Sequence, residues 1–348
     1  MNISSKPFGT ARGGQEIRLF TLSNDNRVTI KITNYGCIIT AIEMPGKNGQ
    51  IDNIVCGFEK LDDYLSDAYL SNYPYFGSII GRYANRIAKG KYSIDGVEYT
   101  GVVNNGENHL HGGLIGFDRR IWNPEVIEKP GVVGVKLTYY SPDKEEGYPG
   151  NLHVSCTYTL DNANKLTIQY EGETDQATIV NLTNHSYFNL TGGREKILDH
   201  ELELRADKIT ESVDLIPTGK IIPVEDTMFD FTAKKKLGRD IASLNDGYDV
   251  NFVLDNEEGR LVEAGRLSES TSGREVTVYT TQPGMQVYTG YWIPELTIDG
   301  IKKFGSYSGV ALETQHFADS PNHDNFPSTV LRPGEKFNQT TVYEFGVG

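Results

Sequence analysis

Two side chains in this sequence pair proton-transfer chemistry with an unusual setting. His185 lies in Thr183-Asn184-His185-Ser186-Tyr187-Phe188-Asn189, and Glu313 in Val310-Ala311-Leu312-Glu313-Thr314-Gln315. A histidine among amides, hydroxyls and aromatic rings suits a polyol: the polar groups match its hydroxyls and the rings cover its apolar face. The plain alternative is a strand end whose polar residues satisfy one another. A glutamate inside an apolar run is either on the solvent face of its strand or buried for a purpose, since desolvating a carboxylate is costly.

Further candidates are weaker singly. His109 and His111, at i and i+2 in an extended segment, would point the same way and offer half of a metal site. No third ligand is evident beside them, and a polar turn with incidental histidines is the plainer account. Gly81-Arg82-Tyr83-Ala84-Asn85-Arg86 supplies guanidinium forks for hydroxyls or for surface acids, and Asp249 is similarly ambiguous. His153 falls on the outward side of its strand. His200, His316 and His323 read as solvated loop residues, and Lys234-Lys235-Lys236 as a solvated surface run.

The elements that must position these groups are strands. Val28, Ile30 and Ile32 alternate with polar residues, as do Leu152, Val154, Cys156, Tyr158 and Leu160. Asp161-Asn162-Ala163-Asn164 then reads as a turn before Leu166, Ile168 and Tyr170, which is a hairpin. Val276 and Val278 repeat the pattern, as do Tyr343, Phe345 and Val347. Helical spacing is sparse: one or two short turns over 58–68, and another over 234–244. With 37 glycines and 14 prolines punctuating many short strands, the expected fold is all-β. The expected architecture is one large antiparallel β-sandwich over residues 1–348.

Composition narrows the class. The formal charge of −14 and pI near 5.0 offer no basic stripe for nucleic acid. Neither a Gly-x-Gly-x-x-Gly after a strand nor a Gly-x-x-x-x-Gly-Lys-Ser/Thr loop is present, so the common nucleotide loops are unsupported. No segment approaches the ~20 apolar residues of a membrane span, and the N-terminus lacks a signal-peptide core. Cys37, Cys56 and Cys156 are scattered and odd in number, which suits reduced thiols in a cytoplasmic protein. The expected partner is a small neutral molecule, with no nucleic acid and no membrane.

Together and in order, these segments resemble the galactose mutarotase (aldose 1-epimerase) family. The resemblance is carried by 81–90, Leu110-His111-Gly112-Gly113, Gly116-Phe117-Asp118, Glu146-Gly147-Tyr148-Pro149-Gly150 and 181–190. It continues through Ile216-Pro217-Thr218-Gly219, 279–284, Leu312-Glu313-Thr314-Gln315 and Leu331-Arg332-Pro333-Gly334-Glu335. It implies a β-sandwich with a sugar cleft on one sheet, His185 as general acid and Glu313 as general base. It implies sugar-binding positions at Asn85, Arg86, His111, Asp249 and Gln286, with contributions from Ser186 and Tyr187, and neither metal nor organic cofactor. Two departures stand out: Val250 follows Asp249 where family members often carry histidine, and His109 replaces a small hydroxyl residue.

Interconversion of sugar anomers removes a proton from the C1 hydroxyl and delivers one to the ring oxygen. A glutamate near its ordinary pKa and a histidine near neutrality would serve. Competing readings are a glycoside hydrolase built on Glu313 and Asp249, a non-catalytic sugar-binding protein, and a hexose-6-phosphate 1-epimerase. The last would need cationic contacts such as Arg82 or Arg119.

Overall fold

The computed structural model describes residues 1–256, 259–298 and 301–348. The chain is built from antiparallel strands in two main sheets, as the alternation predicts. Nine strands form the larger sheet, ordered Asn123–Lys129, Val132–Ser141, Leu152–Asp161, Lys165–Thr174, Phe337–Val347, Arg274–Thr280, Val262–Ser268, Glu201–Leu204 and Lys235–Lys236. The smaller is ordered Tyr187–Phe188, Val310–Gln315, Gly284–Tyr288, Asp249–Val253, Lys208–Val213 and Ile216–Pro223. A five-stranded sheet of the first 53 residues lies before them in sequence.

The expected hairpin is present, with Leu160 opposite Leu166 and Cys156 opposite Tyr170. Its alternating apolar residues are buried. The two sheets contribute to one hydrophobic cluster. Ile168, Val276, Val278 and Tyr343 come from the larger sheet, and Phe252, Met285, Val287, Val310 and Leu312 from the smaller. Because strand side chains alternate, burying Val310 and Leu312 turns Ala311, Glu313 and Gln315 to the opposite face. The same logic places Gln286, Tyr288, Asp249 and Asn251 on that face. The sequence of the smaller sheet thus dedicates one side to packing and the other to polar chemistry.

Three readings need correction. The segment 234–244 is not a helix; it holds the short strand Lys235–Lys236 and a single 3₁₀ turn, Ile241–Ser243. Lys235 is not solvated: its ammonium donates to Met228 O at 2.6 Å and sits 3.9 Å from the centre of the Phe231 ring, so its stem and head are both packed. His200 is fully buried, with Nε2 accepting the Leu190 N–H at 2.8 Å; it caps a backbone donor that would otherwise be orphaned. The residues 58–68 do form two short helices, Leu61–Tyr64 and Asp67–Leu70, and His153 is exposed as expected.

Two buried arginines tie loops to the sheets. Arg82 donates to the carbonyls of Pro149, Gly150 and Ser141, so it is neither a surface partner nor free for a ligand. Arg274, 1 % exposed, donates to Leu190 O at 2.8 Å, to Gln50 O at 2.9 Å and to the Asp52 carboxylate. Arg194 and Arg274 together hold the Asp52 carboxyl down to about 2. Replacing Arg274 removes one donor from each of these acceptors, although Asp52 keeps Arg194, Leu190 O keeps Ser272 Oγ and Gln50 O keeps the Gly46 N–H. Arg274→Met should therefore lower the unfolding free energy by about 1–3 kcal/mol. A urea-derived unfolding free energy lowered by less than about 0.5 kcal/mol would show that the network contributes little.

Candidate active site

His185 and Glu313 meet. His185 Nε2 lies 3.6 Å from Glu313 Oε2, and the side chains are 4 % and 3 % exposed. Glu313 is thus on the buried side of its strand, not the solvent side, and all six residues of that strand are buried. His185 is held by its backbone, whose N–H donates to Ser78 O at 2.9 Å and whose carbonyl accepts from Gly77 N at 3.0 Å. Asn184 donates to Gly77 O at 2.9 Å and accepts the Ser186 N–H at 3.1 Å, fixing the turn on both sides.

His111 completes a cluster: the ligating atoms of His111, His185 and Glu313 all lie within 4.8 Å of one another. His111 and Asn85 clasp each other. His111 N donates to Asn85 O at 3.1 Å, and Asn85 N donates to His111 Nδ1 at 3.1 Å. Since Nδ1 accepts, the neutral ring carries its proton on Nε2 and presents a donor to the cleft. A metal at Nε2 would have to move that proton onto Nδ1, against the Asn85 N–H. The cluster therefore suits a hydroxyl better than a cation. His109 does not share this direction. His111 sits at φ 51°, which breaks strand alternation, and His109 turns into the interior to bond Val102 O and the Tyr148 hydroxyl.

The other expected residues arrive from separate elements. Asp249 and Gln286 are joined by a 2.6 Å bond from Gln286 Nε2 to Asp249 Oδ1, and Gln286 is directly opposite Glu313. Val250 turns away and packs on the core; Gln286 is the residue that bonds Asp249. Arg86 N donates to Asn85 Oδ1 at 2.9 Å and its Nε to Asn105 Oδ1 at 3.3 Å. Tyr187 joins from behind, its ring 4.8 Å from that of His185 and packed edge-on against Phe76. Ser186 is buried, but its hydroxyl makes no hydrogen bond to any of these groups.

Two aromatic walls escaped the sequence reading. Tyr75 stacks on His185 at 5.9 Å and meets His111 edge-on at 4.8 Å, from a left-handed φ of 58°. Such a backbone is rare outside glycine and clusters at functional sites. Tyr288, opposite Ala311 on the next strand, has its ring 6.5 Å from His185. The run Tyr73-Pro74-Tyr75-Phe76 was a usable signal, since aromatic density beside a proline turn seldom lacks a packing role.

Burial sets the protonation of the pair. It raises the Glu313 pKa well above the ordinary carboxylate value; the Asp249 charge adds to this and Arg86 opposes it. It pulls His185 down to about 3 and His111 well below its usual range. The ordinary values expected from composition do not hold, because a dry cleft penalises both charges. With His185 lowered and Glu313 raised, burial favours neutral acid beside neutral imidazole over the ion pair. His316 is likewise not a solvated histidine: burial lowers it to about 4, and its Nδ1 bonds Gln282 Oε1 at 2.8 Å. His323 is partly buried beside Asp319.

The sandwich thus brings one buried imidazole–carboxylate pair together with polar and aromatic side chains. Comparison with known proteins gives the family. The aldose 1-epimerase family model matches residues 18–344. The chain is 41% identical over 357 residues to the galactose mutarotase of Sus scrofa, covering 100% of this chain and 99% of that one. Its fold is similar to the crystal structure of galactose 1-epimerase from Lactobacillus acidophilus NCFM, with TM-score 0.86 at 27% identity, covering 100% and 99% of the two chains. An aldose epimerase homologue from C. elegans gives TM-score 0.84 at 30% identity, covering 94% and 98%. The chain belongs to the aldose 1-epimerase family.

The two charges acting on Glu313 have opposite signs and can be removed one at a time. Asp249→Asn should lower the Glu313 pKa, and Arg86→Met should raise it. A carboxyl-stretch infrared titration, with Glu313→Gln as the subtraction reference, reads both. Shifts in the same direction would contradict the electrostatics described here.

Proposed function

We propose that this isomerase interconverts the α and β anomers of free hexoses of the galactose and glucose type. Glu313 serves as general base and His185 as general acid. The observation that supports the roles is the 3.6 Å approach of two buried titratable groups distant in sequence. In this mechanism the pair carries one proton. In the closed-ring complex that proton rests on His185 and Glu313 is ionised. The carboxylate takes the proton of the C1 hydroxyl, the O–H electrons form C1=O, and the C1–O5 bond breaks. Its electron pair goes to O5, which takes the imidazolium proton. The pair is now neutral acid and neutral imidazole, the form a dry cleft favours, so the protein stabilises the protonation state that accompanies the open chain. The aldehyde turns about C1–C2, and the same steps in reverse close the ring on its other face. No proton is gained or lost overall, and the chemistry requires no cofactor.

Asn85, Arg86, His111, Asp249 and Gln286 converge on the pair from different elements, which supports their reading as holders of the remaining hydroxyls. His111, with its proton fixed on Nε2, donates; Asp249 accepts. Tyr75 and Tyr288 offer faces for the apolar side of the ring. Arg82 is consumed by backbone carbonyls, and Arg119 is paired with Asp118 and stacked on Tyr73, which weakens the sugar-phosphate alternative. The same reading treats 1–348 as one unit, supported by a core cluster drawing on residues from Phe20 to Phe345. It also places the protein in the cytoplasm, supported by three buried, unpaired cysteines.

Polarimetry of freshly dissolved α-galactose or α-glucose, without added metal, should show accelerated relaxation. Glu313→Gln and His185→Asn should each slow it by about 10²–10⁴-fold while sugar binding persists. Near-full activity in either variant refutes the assignment. The pH profile follows from the shared proton. A second proton binds only below the ordinary histidine range, because His185 is lowered to about 3. The single proton leaves only above the ordinary glutamate range, because Glu313 is raised. The acid limb should therefore lie below the ordinary histidine range and the alkaline limb above the ordinary glutamate range; an acid limb centred at pH 6.5 would contradict this.

A further inference from the structure

The residue row beside Glu313 contains polar atoms that the acid–base chemistry above does not use. Gln315 is fully buried, and neither its Oε1 nor its Nε2 has a hydrogen-bond partner in the protein. Asn251, 4 % exposed, has an unpartnered Oδ1, while its Nδ2 reaches Thr210 Oγ1 at 3.4 Å. Glu313 Oε2 is likewise unpartnered. Strand register puts the three residues on one face of the smaller sheet. Asn251 is opposite Gln286, which is opposite Glu313; Gln315 is opposite Gly284. A Cβ at position 284 would lie 2.6 Å from Asn251 Oδ1 and 2.9 Å from the Phe317 ring, so Asn251 leans over the glycine towards Gln315. Only glycine leaves that space open.

Buried polar groups of this kind cost stability unless satisfied, and one small molecule can satisfy one atom of each of the three residues. A water can accept from Gln315 Nε2 and donate both to Asn251 Oδ1 and to Glu313 Oε2, which uses one lone pair and both hydrogens. We infer that Gln315 and Asn251 are positioning residues that hold a bridging water against Glu313 and so stabilise and aim the carboxylate for proton transfer. The inference rests on Glu313 as general base. The titratable or charged groups facing Glu313 are His185, His111, Asp249, Arg86, Tyr187, Tyr288 and, through the core side, Tyr343. Neither Gln315 nor Asn251 titrates, so their removal changes the carboxylate only by withdrawing a hydrogen bond.

The test uses Gln315→Met and Asn251→Leu, both close in volume to the native side chains, with folding checked by near-ultraviolet dichroism. Losing a bond to a charged group should lower kcat roughly 10–100-fold in each. The galactose dissociation constant from calorimetry should stay within about threefold. The alkaline limb of the pH profile should move upward, because the ionised carboxylate has lost a stabiliser. The double variant should be no slower than the slower single one, since both act through one water. Gln315→Met added to Glu313→Gln should cost nothing further. An unchanged pH profile, a weakened galactose affinity with kcat intact, or an additional loss in the Glu313→Gln background would each overturn the inference, the last without touching the base assignment. A crystal structure of the unmodified enzyme reads the water directly. Density within ~3.2 Å of all three atoms supports it, and a direct Gln315–Asn251 bond in its place refutes it.

Discussion

Glu313 sits on a strand whose six residues are all buried, and a carboxyl group there has almost no water to share its charge. Desolvation therefore governs the cleft. It raises Glu313 and lowers His185 and His111, with 3.6 Å between Glu313 and His185. In the proposed mechanism, the ion pair needed with the closed ring lies uphill of the neutral pair that accompanies the open chain. Asp249 and Arg86 trim the balance from either side.

Such a pair is useful only if it cannot relax by turning to solvent, and most of the fold prevents that. Val310 and Leu312 anchor one face of the strand in the core, which fixes Glu313 on the other. His185 is clamped through its own amide to Ser78 and Gly77. The left-handed residues Tyr75, Asn85 and His111 occur on segments that pass the cleft. Arg82 and Arg274, buried and bonded to carbonyls from distant segments, fasten the surrounding loops. Polar groups with no role in proton transfer thus serve to keep two others still.

The strand pattern was legible because a period of two is imposed by packing: the alternating runs noted in the sequence became strands with their apolar side inward, except at the exposed terminal Val347. The Glu313 and His185 settings were legible for the same reason, since a carboxylate in an apolar run and a histidine among amides are costly unless something compensates. Their meeting was not, because 128 residues of chain separate them and only the family resemblance joined the two. Misreadings arose where long-range contacts override local composition. Lys235 looked solvated until Phe231 and Met228 covered it. His200 looked solvated until its ring proved buried and accepting from Leu190. His109 and His111 looked parallel until a positive φ at His111 turned them apart. Tyr75 was missed because nothing in its neighbours announces a left-handed backbone. The pKa values expected from residue type alone failed because burial is a tertiary property.

The account's central claim concerns where one proton rests. Neutron diffraction from the sugar-free, deuterium-exchanged enzyme near pD 7 locates it directly. The prediction is a deuteron on the Glu313 carboxyl and a singly protonated, neutral imidazole at His185. An imidazolium beside an ionised carboxylate, or a pair carrying no shared deuteron at all, would contradict it.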